Sequence, residues 1–215
     1  GLGGGGLALA ADVGIEAEVV AAVAATEARF GAIDLLVCNA GIGSMLGMEA
    51  PTETWQEVWD VNVMHHVFAA RAVVPSMVAR GEGYVLTTAS AAGLLAQIGD
   101  APYSVTKHAA VGFAEWLAIT YGDQGVRVSC LCPQGVNTDL LRRAATGESG
   151  AVVLAQGTLE PSEVADAVID ALADERFLVL PHPEVRDYEQ GKAADRDRWL
   201  AGMRKLQRRV REGIG

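Results

Sequence analysis

Positive charge is what this sequence has least of. Lysine and arginine together number 17 against 27 aspartates and glutamates, for a formal net charge of −10. A protein that grips a phosphate backbone needs a basic surface, so this balance argues against a nucleic-acid partner. Apolar runs are short as well: none approaches the ~20 consecutive residues of a membrane span, and no signal peptide is visible, so no membrane partner is expected. Cysteine is scarce. Cys38, Cys130 and Cys132 all fall in apolar, strand-like runs, which fits buried, inert thiols in a reducing cytoplasm. Cys-x-Cys along one strand is by itself neither a redox pair nor a metal site. No initiator methionine and no internal repeat are present.

What is there has ordinary globular composition, half hydrophobic and a fifth charged, and 215 residues fit one domain with a substantial core. Leu7–Val13 reads as a short strand ending in Asp12-Val13. Residues 15–30 carry Ile15, Val19, Val23 and Phe30 at helical spacing, with Gly31 placed to end the helix. Ile33–Cys38 is a nearly continuous apolar run, as expected of a parallel strand covered on both faces. Thr54-Trp-Gln-Glu57 fits a capping box opening a long helical stretch to about Ala79, which Pro75 should kink or end. Tyr84–Thr88 and Val126–Cys132 read as strands. A helix runs from Tyr103 to about Tyr121, another from Pro161 to Leu172, and Phe177–Leu180 is a last strand. Tyr188–Arg211 is charged, with Trp199, Met203, Leu206 and Val210 at helical spacing; its basic cluster at Arg204, Lys205, Arg208 and Arg209 reads as a solvated face or an oligomer contact. Strands alternating with helices predict an α/β fold with a parallel sheet.

Tyr103 and Lys107 lie at i,i+4, which stacks a phenol and an ammonium on one helix face. A tyrosine titrates near pH ~10, and a nearby cation favours its phenolate, so Lys107 is expected to pull Tyr103 toward working pH. Ser90, thirteen residues earlier, follows an apolar strand and would sit at its carboxyl end, where open α/β sheets place their ligands. Asn39-Ala40-Gly41 closes another strand. Ala40 and Gly41 let backbone approach a ligand closely, and the Asn39 amide can brace neighbouring strands. Asn62 sits inside a helix, where asparagine is mildly unfavourable. His65 and His66 read as helix packing or surface residues, since no partner stands at metal spacing.

Taken together, Ser90, Tyr103-Ser-Val-Thr-Lys107, Asn39-Ala-Gly41 and Asn62 resemble the signature of the short-chain dehydrogenase/reductase family. The resemblance implies a Rossmann-like doubly wound parallel sheet, an NAD or NADP cofactor, and hydride transfer between it and a small, largely apolar alcohol or ketone. It implies catalytic roles for Ser90, Tyr103, Lys107 and Asn62, the last through a helical kink whose freed carbonyl holds a relay water. Asp12 and Val13 match the end of the family's third strand, where the aspartate contacts adenine; an N-cap for the next helix is the structural alternative for Asp12. Asn39, Ala40 and Gly41 would lie beside the adenosine and its ribose, and Tyr103 and Lys107 beside the nicotinamide ribose. Pro133-Gln-Gly-Val-Asn-Thr138 resembles the family's Pro-Gly-x-x-x-Thr: Thr138 would bond the carboxamide, Val136 would flank it, and Gln134 stands where the family usually has glycine. Ala91–Ala101, with Leu94, Leu95 and Ile98, would form a loop walling the substrate pocket.

On this reading residues 1–215 are one dehydrogenase domain, with 139–160 as a substrate lid or a plain surface loop and 184–212 as a C-terminal helical extension. Homodimer or homotetramer formation through the Tyr103 helix and its predecessor is the family expectation. Gly1–Gly6 is followed by a strand-like run and not by a helix, so it is not a phosphate-binding turn. The expectation is that the first two strands, with the family's Thr-Gly-x-x-x-Gly-x-Gly, are missing from an N-terminally incomplete sequence. The alternative is a dehydrogenase-like protein without activity or with impaired cofactor binding. A serine hydrolase is disfavoured because Ser90 lacks the Gly-x-Ser-x-Gly elbow.

Overall fold

Four of the apolar runs pair with one another in the order in which they occur. The computed structural model describes residues 5–144, 150, 153–154 and 157–213. In it β1 (Leu35–Cys38), β2 (Gly83–Thr88), β3 (Val126–Leu131) and β4 (Leu178–Val179) form one parallel sheet in the order β1-β2-β3-β4. The pleat sorts their side chains onto two faces. Leu36, Val85, Val128 and Cys130 share one face and pack against Val73, Val74 and Met77 of α3 (His65–Arg80) and Ala110, Ala114 and Leu117 of α5 (Ala101–Tyr121). Leu86, Leu131 and Val179 share a core cluster with Val164 and Ala171 of α7 (Pro161–Ala173), on the other face. Helices on both faces make this the doubly wound, Rossmann-like arrangement expected.

The helix ends follow local chemistry. α1 (Glu16–Phe30) stops at Gly31, whose φ of 83° suits only glycine comfortably. α5 is capped by Asp100, whose carboxylate accepts from the Tyr103 N–H, and carries Pro102 in its first turn. α7 opens on a reciprocal capping box between Glu160 and Glu163.

Several expectations are corrected. Leu7–Val13 forms no strand, because among the described residues β1 pairs only with β2 and nothing offers this segment a ladder. Asp12 is not the N-cap of α1. Its carboxylate accepts from the Gly14 N–H at 2.9 Å in a tight turn, and Ile15 holds the cap position. Thr54 opens no capping box, since α2 (Thr52–Trp59) starts two residues earlier behind Pro51. α3 does not end at Pro75 but continues to Arg80. The stretch after Ser90 begins with a helical turn, α4 (Ala91–Leu94), where a loop was expected. The C-terminal stretch is two helices, α8 (Glu184–Ala194) and α9 (Arg196–Arg211), because extended Asp195 interrupts the first and caps the second. α6 (Asp139–Ala144) opens the expected lid, but 145–149, 151–152 and 155–156 lie outside the described residues, as do 1–4 of the glycine stretch. No helix among the described residues is long and apolar enough to cross a membrane.

Candidate active site

Ser90 stands two residues beyond the end of β2 and is pinned from both sides. The Ala89 and Ala91 N–H groups donate to the carbonyls of Leu131 and Pro133, each at 2.8 Å, tying this corner to the end of β3. The Ser90 hydroxyl caps α4 by accepting from the Ala92 N–H at 3.1 Å and donates toward the Pro133 carbonyl at 3.4 Å. Across from it, the first two turns of α5 present Tyr103 and Lys107. These three side chains line one cavity of about 1050 Å³ at the carboxyl ends of the strands, together with Asn39, Gly41, Pro133, Val136 and Thr138.

The electrostatics of the pair differ from the expectation. Burial is the largest influence on Tyr103 and raises its phenol above the ordinary tyrosine range; the Ser90 hydrogen bond opposes it, and the Asp100 carboxylate adds to it. Lys107 is buried and donates to the Thr88 carbonyl at 3.0 Å, with its ammonium 5.6 Å from the centre of the Tyr103 ring. Burial brings the Lys107 pKa itself down to about 8, which weakens the field it can exert on the phenol. Tyr103 is therefore a protonated donor at neutral pH.

Asn62 lies at the centre of a five-residue π turn, Asp60–Met64, that joins α2 to α3. Inserted turns of this kind re-aim side chains and recur at functional sites. Both polar atoms of its amide are partnered: Oδ1 accepts from the Ile42 N–H at 2.9 Å, while Nδ2 donates to the Ile42 carbonyl at 2.9 Å and to the Thr106 hydroxyl at 3.1 Å. The side chain thus straps the loop after β1 to α5 and does not line the cavity. Asn39 braces the strand ends as expected, accepting from the Thr88 hydroxyl at 3.1 Å. At Gly41 an added Cβ would sit 3.1 Å from Lys107 Nζ and 3.4 Å from Asn62 Oδ1, close enough to displace the ammonium by a few tenths of an ångström. Thr138 caps the turn into α6 through its hydroxyl and carbonyl.

Three expected cofactor residues are not brought to this cavity. Val13 and Ala40 line a separate hollow beside the β1 edge, and Asp12 sits on the exposed turn before α1. In the other direction, two residues escaped sequence reasoning. Asp100 is buried, and its carboxylate accepts from the Ser44 N–H at 2.9 Å, the Met45 N–H at 2.8 Å, the Ser44 hydroxyl at 2.7 Å and the Tyr103 N–H at 3.1 Å. Its signal was legible, since an aspartate just before Ala-Pro is an N-cap signature. His182 accepts from the Gln134 N–H at 3.2 Å through Nδ1 and donates to the Gly135 carbonyl at 3.1 Å through Nε2. That brace fixes the turn in which Gln134 replaces the expected glycine. No sequence signal pointed to it.

The remaining candidates are structural. His66 is fully buried in ring contact with His65, and burial lowers its pKa to about 2, leaving it neutral. The Cys38 thiol is pushed up to about 12 by burial, and Cys130 and Cys132 lie 3.8 Å apart inside the core. No cluster of three or more metal-ligating side chains exists among the described residues.

The chain is 38% identical over 138 residues to the 2-(R)-hydroxypropyl-CoM dehydrogenase of Xanthobacter autotrophicus, covering 62% of this chain and 55% of that protein. It is 34% identical over 167 residues to the 1-deoxy-11-beta-hydroxypentalenate dehydrogenase of Streptomyces avermitilis, covering 74% and 59%. The chain thus spans little more than half the length of these curated relatives. Among solved structures, a short chain dehydrogenase/reductase from Burkholderia phymatum in complex with NAD superposes with a TM-score of 0.81 at 28% identity, covering 89% of this chain and 76% of that one. A gluconate 5-dehydrogenase from Burkholderia cenocepacia in complex with NADP and tartrate gives 0.73, also at 28% identity, covering 82% and 73%. The family's sequence profile, described as short chain dehydrogenase, matches residues 3–149, most of the length over which the sheet and its site are built. The chain belongs to the short chain dehydrogenase family.

Proposed function

We propose that this protein is an NAD- or NADP-dependent oxidoreductase that interconverts an apolar secondary alcohol and its ketone. The observation that carries the reading is the convergence of Ser90, Tyr103 and Lys107 on one cavity. The residues fit a dinucleotide's nicotinamide end. The bare backbone at Gly41 leaves room beside the Lys107 ammonium, and the His182 brace presents Pro133, Val136 and Thr138 to the same space. Lys107 would hold the nicotinamide ribose, Thr138 the carboxamide, and Asn39 with Gly41 the adenosine side. When bound, the nicotinamide supplies or takes up the hydride.

The chain's own part is the proton. In the reductive direction the substrate carbonyl oxygen sits between the Ser90 and Tyr103 hydroxyls. Ser90 donates a hydrogen bond as negative charge develops on that oxygen, and Tyr103 then gives up its proton to it. The neighbouring ammonium stabilises the phenolate that remains, and the Asn62 strap holds Lys107 and Tyr103 in register. Oxidation runs the same proton in reverse, with the phenolate as base.

Tyr103→Phe tests the assignment. Turnover of a ketone with reduced nucleotide should fall by at least ~1,000-fold, while nucleotide affinity by fluorescence titration stays close to that of the unaltered protein. Undiminished turnover would refute it. We also infer self-association through α5, whose Val105, Trp116 and Ile119 are 49%, 52% and 83% exposed. Exposed aromatic and aliphatic side chains on a central helix favour a second copy. Ile119→Glu should shift the protein to a smaller species in sedimentation.

A further inference from the structure

The C-terminal extension contains a lysine that is buried where a surface helix would be expected to show it. Lys192, near the end of α8, is only 7% exposed, and its ammonium has three acceptors. It donates to the Leu94 carbonyl at 2.5 Å, to the Leu95 carbonyl at 2.7 Å and toward His108 Nε2 at 3.3 Å. An ammonium has three N–H groups, so its hydrogen-bonding capacity is matched one for one. The imidazole is oriented for this: Nδ1–H donates to the Ser104 carbonyl at 2.8 Å, which leaves Nε2 as the acceptor. The Trp199 ring of α9 closes over the same charge, 5.1 Å from it.

These contacts tie the C-terminal helices to α4 and α5, two elements that already pack on each other beside the cavity. Leu94 and Leu95 end the helical turn that begins at Ser90. Ser104 and His108 belong to the α5 turns that carry Tyr103 and Lys107. Lys192 and Trp199 belong to the two C-terminal helices. Leu95, Gly191, Trp199, Met203 and Leu206 all line the cavity that holds Ser90 and Tyr103. The far wall belongs to the extension and is apolar at Trp199, Met203 and Leu206, with Asp187 and Tyr188 of α8 also lining the cavity; buried Val185 seats α8 on the core and the lysine ties its end to α4 and α5.

We propose that Lys192 is a positioning residue that latches the C-terminal helices over the active site, and that the wall so formed selects substrates with a bulky hydrocarbon body. This rests on the oxidoreductase reading above and names the substrate class for it. The reacting carbonyl lies at Ser90 and Tyr103, and the hydrocarbon body extends toward Trp199, Met203 and Leu206. A small ketone reaches the reacting groups without touching that wall.

The test compares 2-decalone with acetone as substrates for the full chain and for Lys192→Met, Lys192→Arg and Met203→Glu. Lys192→Met should lower the ratio of kcat/KM for decalone to that for acetone by about tenfold, chiefly through KM for decalone, and Lys192→Arg should restore part of it by donating to the same two carbonyls. Met203→Glu leaves the latch intact and places a carboxylate on the wall; it should lower the ratio in the same direction. Direct binding gives an arm independent of turnover: decalone should alter the fluorescence of the unaltered protein by an amount that Trp199→Phe abolishes. An unchanged ratio in both Lys192→Met and Met203→Glu, or a decalone response that survives Trp199→Phe, overturns the proposal. Decalone binding at Trp199 without turnover of either ketone would instead sink the oxidoreductase reading and leave the wall standing.

Discussion

Lys107 bears the largest electrostatic cost in the site, and removing its charge should stabilise the fold while ending its function. The ammonium is 2% exposed and has one hydrogen bond, to Thr88, among the described residues. Burial brings its pKa from 10.5 to about 8, which corresponds to about 3 kcal/mol of charge burial that the unfolded chain does not bear. Lys107→Met keeps most of the stem and discards the charge, at the loss of a hydrogen bond worth about 1–2 kcal/mol. The net expectation is a gain of about 1–2 kcal/mol at pH 7, a rise of a few degrees in Tm for a chain of this size. The sign with pH is fixed. Below about pH 8 the lysine is charged in both folded and unfolded chains and its full cost is present. Between about 8 and 10.5 the unfolded chain holds a proton that the folded one has released, so the unaltered protein gains on the variant as pH rises. Cys38, raised by burial alone, acts in the opposite sense at alkaline pH in both proteins and cancels from the difference. Urea unfolding followed by circular dichroism at pH 7, 9 and 10.5 measures it. A variant less stable at pH 7, or an advantage that does not shrink with pH, would refute the reasoning.

Two further changes test the scaffold. Asp100→Ala strips acceptors from three backbone N–H groups and a hydroxyl, so stability should fall by about 3 kcal/mol; a loss under ~1 kcal/mol in the same urea assay would mean that water replaces the carboxylate. At Gly93 an added Cβ would lie 2.4 Å from the Lys107 carbonyl oxygen and 2.9 Å from Val111 Cγ2. Gly93→Ala should therefore push α4 away from α5, destabilise by about 3 kcal/mol and lower turnover, whereas Gly112→Ala, with open space around it, should do neither.

The sheet and the grouping of Ser90, Tyr103 and Lys107 were legible because each leaves a local trace. Continuous apolar runs marked the buried strands, and Tyr103 with Lys107 showed itself through helical spacing and the strand before Ser90. Helix boundaries were read less well. Thr54 imitates a cap, but Pro51, whose fixed φ suits the start of a helix, sets the beginning of α2. Leu7–Val13 has strand composition and no ladder to join, and pairing is a tertiary matter that composition does not carry. The electrostatic error at Tyr103 has the same origin: a one-dimensional reading sees the cation four residues away and not the protein packed around both groups. His182 and Lys192 act across 47 and 98 residues of sequence, and no local pattern marks either one.

The reacting groups come from two elements, the end of β2 and the start of α5, and packing between these does not by itself fix the distance across which a proton must move. The loop after β1 supplies the constraint. Asp100 fastens the Ser44 and Met45 N–H groups to the N–H of Tyr103. Asn62 fastens both backbone groups of Ile42 to the hydroxyl of Thr106, the residue before Lys107. Each of the two α5 side chains thus has an immediate tether to the loop whose other end, at Gly41, faces the proposed nucleotide space. Burying polar groups to this extent is favourable only when partners are supplied, and every polar atom of both side chains has at least one. A shift of the loop must move the segments that carry Tyr103 and Lys107 together with the Gly41 backbone, so on the proposed function nucleotide affinity and proton transfer should respond together to a displacement of this loop.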